Sequence, residues 1–593
     1  MTETEDWPAA DEPGDIFPSR SETRDAESST PNLHYKETLV EEQIEIVDLT
    51  LDAPVFKLDL DCIDLTGLPL HRPQSPSSSE SVPQVVIENN VYREGMSLLL
   101  CDKSYLRIEH IVQGSNGIFF HGRRLFATSD PRMDRYLPKK AGELIWTTHY
   151  MEPVSFAQVN RACRVLFTNF RTLPLGHTGM VCRLKLTIRT REDNPTDDRQ
   201  FLNAQDSSIE YLHINEVDQG FGLSPTELRD RWRGRGQTVP FGESQLSQIV
   251  MENSPMDVDQ PRQVIDLTAP TRTYTFGDAF CGGGGVSCGA KKAGLNLRWA
   301  FDKDRHAINT YQRNFDGVTI ENAEIFDFLT NHASFLRVDV CHCSPPCQTF
   351  SPAHTVHCDR DEANSACIFS ANDLIKQAHP RILTMEETSG LLERHKDYFN
   401  RIILNLLDIG YSVRWAVLDC VNYGVPQSRK RLIIIASGPG EALPEMPLPT
   451  HGLPGSGLDP LNTIHDSIHD LPPDAPDHDV QTTLERYRTQ GWRDPYNAHQ
   501  PARTVTCSGG EFNYHPSGKR GFTTREFACL QTFPRDFEFS EKNIRRQIGN
   551  AVPPMFAAAI YREIAKSLRK TDEQEEEEMR AGLINQSDLP IYM

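Results

Sequence analysis

An α/β fold with a mainly parallel sheet is predicted for residues 271–436, and three observations predict it. Short apolar runs alternate with amphipathic stretches, the rhythm of strand–helix–strand units. The first run, Tyr274-Thr275-Phe276-Gly277-Asp278-Ala279-Phe280, passes into Cys281-Gly282-Gly283-Gly284-Gly285 and then into a helix-like stretch from Val286 to Ala293. About twenty residues on, a second run, Leu297-Arg298-Trp299-Ala300-Phe301, ends on Asp302. Glycines between a strand and a helix let backbone approach a ligand at the carboxyl edge of a sheet. An acid after the second strand is where nucleotide folds hold ribose hydroxyls. A glycine run alone is more often only a loop; with Asp302 it points to a nucleoside-bearing ligand.

The chain has 593 residues, too many for one core, so two or more domains with linkers are expected. Hydrophobic residues make up 38% and there are 40 prolines, which predicts disordered segments beside folded ones. No apolar run approaches the ~18 residues of a membrane span, and the acidic, polar start is no secretory signal. The 14 cysteines lack regular spacing and read as reduced thiols. The net charge of −22 is uneven: residues 1–84 carry −14 and residues 571–593 carry −6, leaving −2 for the body. A near-neutral body can hold a basic cleft, so a nucleic-acid partner is not excluded.

Residues 1–84 are rich in Ser, Pro, Asp and Glu and read as a disordered acidic region. Ile46-Val47-Asp48-Leu49-Thr50 is echoed by Cys62-Ile63-Asp64-Leu65-Thr66 and, far downstream, by Val264-Ile265-Asp266-Leu267-Thr268. Each is a β-prone run in a polar setting, able to add as a strand to a partner's sheet edge. The copies resemble the hydrophobic-acidic motifs that bind the ubiquitin-like modifier SUMO; the plainer reading is stray strand fragments. Residues 85–215 read as β-rich. Strand candidates are Val91-Tyr92, Met96-Ser97-Leu98-Leu99-Leu100, Arg107-Ile108-Glu109-His110-Ile111-Val112, Gly117-Ile118-Phe119-Phe120, Gly142-Glu143-Leu144-Ile145-Trp146 and Val181-Cys182-Arg183-Leu184-Lys185-Leu186. This order, with Arg123-Arg124-Leu125-Phe126 after the fourth strand, resembles a bromo-adjacent-homology (BAH) domain, a chromatin-reading module. A plain β-barrel fits the same strands.

Residues 216–270 read as a linker. Its cluster Arg229-Asp230-Arg231-Trp232-Arg233-Gly234-Arg235-Gly236 is expected to be solvated, with phosphate contact or an import signal as sharper readings. Residues 437–500 lose the α/β rhythm, ordered patterning returns over 501–570, and the acidic tail 571–593 reads as solvated.

The chemistry centres on Asp339-Val340-Cys341-His342-Cys343-Ser344-Pro345-Pro346-Cys347-Gln348. Two prolines after an apolar run make a stiff turn that presents the Cys347 thiol, and a presented thiol works as a nucleophile once ionised. A metal reading draws on Cys341, Cys343, Cys347, His354, His357 and Cys358, but no paired Cys-x-x-Cys knuckle is present, so no metal is expected. Downstream, the run Arg381-Ile382-Leu383-Thr384-Met385 ends on Glu386-Glu387-Thr388; a carboxyl at a strand end in an apolar pocket can donate a proton.

Phe280, Gly282, Gly284 and Gly285, then Pro345-Pro346-Cys347-Gln348, Glu386, Gln427-Ser428-Arg429-Lys430-Arg431, Arg503-Thr504-Val505-Thr506, Arg525 to Pro534 and Gln547-Ile548-Gly549-Asn550-Ala551-Val552 follow one another as in the cytosine-5 DNA methyltransferases, which residues 271–560 resemble. The resemblance implies a Rossmann-like catalytic domain split by a short target-recognition region at 437–500. It implies S-adenosyl-L-methionine as cofactor, duplex DNA as partner and a flipped cytosine as substrate. By the same resemblance Cys347 attacks ring carbon 6, Glu386 holds the amine and ring nitrogen 3, and Arg431 binds the ring oxygen with Arg429 beside it. Phe280, Gly282, Gly284, Gly285, Asp302, Asn550 and Ala551 would line the cofactor, with Glu324 near its adenine. The family usually reads Glu-Asn-Val where this chain has Glu386-Glu387-Thr388. That form, with the paired prolines and the short recognition segment, resembles the fungal subgroup of repeat-induced point mutation and premeiotic methylation. The subgroup implies a nuclear enzyme of genome defence and sexual development acting on chromatin. Two alternatives remain open on sequence: a transfer RNA cytosine-5 methyltransferase, and an inactive scaffold.

Overall fold

The computed structural model describes residues 80–114, 117–133, 142–173, 179–189, 206–234, 272–331, 336–345, 371–490, 494–507 and 514–587. The three SUMO-like repeats and Cys347 lie outside the described residues.

The amino-terminal described region is built mainly of antiparallel strands, among them β1 (Ser97–Leu100), β2 (Tyr105–Gly114), β3 (Gly117–Ala127), β4 (Glu143–Thr147), β5 (Met180–Arg189) and β6 (Asp206–Tyr211); β5 pairs parallel with β4 and with Val165–Phe167. Arg123-Arg124-Leu125-Phe126 does not follow the fourth predicted strand. It continues it, because β3 runs for eleven residues and pairs with β2 on one edge and β4 on the other.

The second half has strands β7 (Thr275–Ala279), β8 (Asn296–Asp302), β9 (Thr319–Asn322), β10 (Val340–Cys343), β11 (Ile382–Thr388), β12 (Ser412–Asp419) and β13 (Lys430–Ser437). Their order across the sheet is β9-β8-β7-β10-β11-β13-β12; the first five are parallel, β13 runs antiparallel to them, and β12 pairs antiparallel with β13. This is the predicted α/β sheet. Strands β7, β10 and β11 are buried along their length, as parallel strands covered on both faces must be.

Strand β11 runs directly into the short helix α3 (Ser389–Arg394), which leads to α4 (Lys396–Ile409). One face of the sheet packs on α4 through Phe399, Ile402, Ile403 and Leu406, a helical stripe. The other face packs on α2 (Gly285–Lys292) and on α5 (Pro554–Ser587), whose Phe556, Ile560, Tyr561, Ile564 and Leu568 repeat at helical spacing. The sheet does not stop at β12. Strand β6 pairs antiparallel with it, Ser207 opposite Trp415 and Ile209 opposite Val413, so one continuous sheet joins the β-rich region to the α/β region.

Two expectations fail at this junction. Among the described residues the basic cluster in the supposed linker is not wholly solvated: Pro225–Arg233 is helix α1, started by Ser224, whose hydroxyl accepts from the Glu227 amide at 3.2 Å. Arg229 and Arg233 are buried, because each finds acceptors in the catalytic half. Arg229 donates to the Gly440 carbonyl at 2.6 Å and pairs with Glu575; Arg233 donates to the His379 carbonyl at 2.9 Å and pairs with Asp339 at 3.5 Å. The acidic tail is not fully solvated either. Helix α5 runs through it, and Asp572 is buried against Arg381 (2.7 Å), Arg272 (3.0 Å) and the Tyr274 hydroxyl (2.8 Å).

Candidate active site

The carboxyl ends of β7, β10 and β11 lie side by side, Ala279 beside Cys343 and His342 beside Thr384. Side chains and loops leaving these ends form the crevice that open α/β sheets use for ligands.

On the β7 side, the loop into α2 turns through Phe280 at φ +60°, a left-handed conformation that costs a bulky residue strain and so marks a constrained site. Its ring packs on Phe301, 5.5 Å between centroids. The Gly282 amide donates to Asp302 Oδ2 at 2.9 Å and the Asp304 amide to Oδ1 at 2.8 Å, so the glycine loop is tied to the end of β8. Burial pushes the Asp302 carboxyl up, against the pull of those two amides. Gly282 is at φ +52° with open space where a Cβ would stand. At Gly285 a Cβ would meet the Val552 carbonyl oxygen at 2.5 Å and the Ala551 Cβ at 3.0 Å. The loop is thus open toward the crevice and closed toward 551–552. Ala551 is held by Gln531, whose Nε2 donates to its carbonyl at 2.6 Å, and by Arg429 at 3.2 Å. Asn550 Oδ1 accepts from the Cys507 thiol at 2.7 Å. Glu324 stands on the same rim, half-exposed and 3.4 Å from Lys303 Nζ. Phe280, Gly282, Gly284, Gly285, Asp302 and Ala551 are therefore gathered around one loop, while the side chains of Glu324 and Asn550 bond to Lys303 and Cys507.

Beneath this loop lies a group that sequence reasoning did not single out. Asp278 is fully buried, accepts from Ser287 Oγ at 2.5 Å, and leaves Oδ1 without a partner among the described residues. Burial pushes its carboxyl up to about 7. The available signal was an acid inside an apolar strand.

On the β11 side, Glu386 and Arg431 meet: Arg431 Nε is 2.5 Å from Glu386 Oε1, and both are largely buried. The Glu386 amide donates to Ser344 Oγ at 2.7 Å, which locks the end of β11 to the residue where β10 enters the Pro345 turn. Cys347 follows Ser344 by three residues.

Arg429 is not beside Arg431 in this pocket, contrary to expectation. Its guanidinium is buried and donates to the carbonyls of Val505 (2.9 Å), Gly549 (2.9 Å) and Ala551 (3.2 Å). Three carbonyls from two segments converge there, and buried acceptors need donors, so the arginine is drawn into the core as a clamp. Gln427 reinforces it: its Nε2 donates to Gln531 and its Oε1 accepts from the Val505 amide.

The chain is similar to several known proteins. The profile of the C-5 cytosine-specific DNA methylases matches residues 274–483 and 475–566. The type II methyltransferase M.AplI of Arthrospira platensis is 34% identical over 311 residues, covering 50% of this chain and 85% of that protein. The type II methyltransferase M.MthTI of Methanothermobacter thermautotrophicus is 28% identical over 333 residues, covering 49% of this chain and 96% of that protein. The solved structure of the Entamoeba histolytica methyltransferase EhMeth aligns with 50% of this chain and 99% of its own at 16% identity, with a TM-score of 0.38. The glycine loop fits a nucleoside cofactor, with open space over Gly282 and a carboxylate at the end of β8. The chain belongs to the C-5 cytosine-specific DNA methylase family, as an enzyme that methylates carbon 5 of cytosine in DNA with S-adenosylmethionine as methyl donor.

Proposed function

We propose that the crevice at the ends of β7, β10 and β11 carries out this reaction with Cys347 as nucleophile, Glu386 as the acid facing the base and Arg431 as its partner. The observation that carries the reading is the Glu386–Arg431 pair, fixed by Ser344 at the point where the chain turns toward Cys347. Three residues of chain span at most about 11 Å, so the thiol acts close to that strand end. S-adenosylmethionine, when bound, would supply to carbon 5 an electrophilic methyl group whose bond to the donor sulfur breaks; Phe280, Asp302, Asn550 and Ala551 would hold it, with Glu324 at the rim. The cytosine enters flipped from the duplex, since its ring carbons are out of reach within the stack. Cys347 thiolate bonds to carbon 6 while Glu386 donates a proton to ring nitrogen 3, and the electron pair shifts to carbon 5. Once methylated, carbon 5 loses its proton to a base, that electron pair re-forms the ring double bond as the Cys347 thiolate leaves carbon 6, and ring nitrogen 3 returns its proton to Glu386. Arg431 holds Glu386 in line and reaches the ring oxygen. Arg429 acts at a distance, fixing 549–551 behind the glycine loop.

In the cell, the reading is a nuclear enzyme of chromatin silencing and genome defence, of the fungal premeiotic type. The Glu386-Glu387-Thr388 form, the short segment 437–500 and the β-rich, BAH-like strands ahead of the catalytic sheet support it. The repeats at 46–50, 62–66 and 264–268 would recruit SUMO-modified partners. Incubating the protein with labelled S-adenosylmethionine and either duplex DNA or RNA tests the reaction. Label at carbon 5 of cytosine in DNA is expected; label confined to RNA would overturn it.

A further inference from the structure

Two segments meet behind the glycine loop with their backbones fixed. Arg429 donates to the carbonyls of Val505, Gly549 and Ala551, so both segments share one cation. Their approach is close: a Cβ on Gly549 would meet the Cys507 amide nitrogen at 2.5 Å and the Thr506 carbonyl carbon at 2.5 Å. Ala551 in turn stands against the loop, its Cβ 3.0 Å from where a Cβ on Gly285 would lie. Backbone contacts therefore place Asn550 but do not orient its amide, which is exposed.

A side-chain amide has two unlike ends, an acceptor oxygen and a donor nitrogen, and half a turn exchanges them. Which end is left for a ligand depends on what holds the other. Here the Cys507 sulfur lies 2.7 Å from Asn550 Oδ1. Sulfur is a weak acceptor and a carboxamide oxygen a good one, so the thiol proton goes to Oδ1. Cys507 reaches the surface, yet the atoms packed around it push its thiol up, against the pull of Arg429 and Arg546, so the proton is held at neutral pH. Asn550 Nδ2 donates to no described residue, which leaves its N–H groups for an acceptor on a ligand. S-adenosylmethionine carries such acceptors, a carboxylate and ribose hydroxyls.

We propose that Cys507 is a positioning residue for the cofactor: its thiol fixes the Asn550 amide with the oxygen turned to sulfur and the nitrogen free to donate. The inference rests on the placing of Asn550 at S-adenosylmethionine.

The test is calorimetric binding of S-adenosylmethionine to the full chain and to its Cys507→Ala, Cys507→Ser, Asn550→Ala and doubly substituted Cys507→Ala, Asn550→Ala variants. Melting confirms folding, and steady-state methyl transfer to duplex DNA is measured alongside. Cys507→Ala is expected to weaken binding about fivefold, the net share of one hydrogen bond, and to raise KM for the cofactor in step at unchanged kcat. Cys507→Ser, whose hydroxyl donates to the same oxygen, is expected to retain binding. With Asn550→Ala already in place, removing the thiol is expected to cost nothing further. Unchanged binding in Cys507→Ala would overturn the proposal. So would a Ser variant as weak as Ala, a loss in kcat with affinity intact, or an equal loss with and without Asn550; Cys507→Val stands in if Ala fails to fold. If Asn550→Ala alone binds S-adenosylmethionine as tightly as the natural chain, the placing of Asn550 at the cofactor fails, and the proposal with it.

Discussion

The two ends of β11 carry opposite electrostatic arrangements. At its start, Arg381 is fully buried and bonded to two carboxylates, Glu441 through Nε (2.8 Å) and Nη2 (2.9 Å) and Asp572 through Nη2 (2.7 Å). Arg272 and the Tyr274 hydroxyl complete the shell of Asp572. At its finish, two adjacent carboxyl groups stand on opposite faces of the sheet: Glu386 pairs with Arg431, and Glu387 has no hydrogen bond to its carboxyl among the described residues. The first end is balanced and ties helix α5 and, through Arg229 and Arg233, helix α1 to the sheet. The second is left short of positive charge. A buried network that only holds the fold satisfies its charges; one that moves protons keeps a group poised to change state.

The largest expected contrast is between substitutions at the two ends. Glu386→Gln should lower kcat by about 10²–10⁴-fold, the usual share of a positioned acid, with the melting temperature little changed. Arg381→Met should do the reverse: about 3–5 kcal/mol of stability lost by denaturant unfolding, because two carboxylates are left buried without their partner, while the pH profile of the folded fraction is kept. A kcat loss from Arg381→Met matching that of Glu386→Gln would break the distinction.

Substitutions at the glycine loop sharpen it at the cofactor side. Gly285→Ala drives a methyl group into the Val552 carbonyl and should cost about 1–3 kcal/mol through overpacking. Gly282→Ala meets no atom but must hold φ +52°, at about 1–2 kcal/mol. Calorimetric binding of S-adenosylmethionine should therefore weaken more for Gly285→Ala.

A further contrast lies in stability against pH. The unfolded chain ionises Glu387 and Asp278 in the ordinary carboxylate range, whereas the folded chain keeps Glu387 protonated well above that range and Asp278 up to about 7. The folded state thus binds more protons, and stability falls as pH rises through this window, by about 1.4 kcal/mol per pH unit for each group. For Asp278 the loss ends near 7. Glu387→Gln and Asp278→Asn should each flatten their part of the slope in urea midpoints measured across pH.

Much of this site was legible in the sequence because its chemistry is local. The glycine loop, Asp302 and Glu386 each sit at a strand end, and a strand end is visible in one dimension. Arg429 was misread because its fate depends on the carbonyls of 505, 549 and 551, which are more than seventy residues away in the chain. The docking of α1 was partly readable: Ser224-Pro225-Thr226-Glu227 is a capping box with proline at the first turn, the mark of a helix start. The acidic tail misled by composition, since the arginine partners of its Asp572 and Glu575 lie in other elements. Nothing local foretells that β6 joins β12.

The most direct test of the central claim uses duplex DNA whose target cytosines carry fluorine at carbon 5, where no proton can be lost and the thiol cannot leave. With S-adenosylmethionine present, the natural chain is expected to form an adduct that survives denaturing electrophoresis, Cys347→Ala none, and Glu386→Gln far less. An adduct that persists in Cys347→Ala, or none from the folded natural chain, would contradict the account.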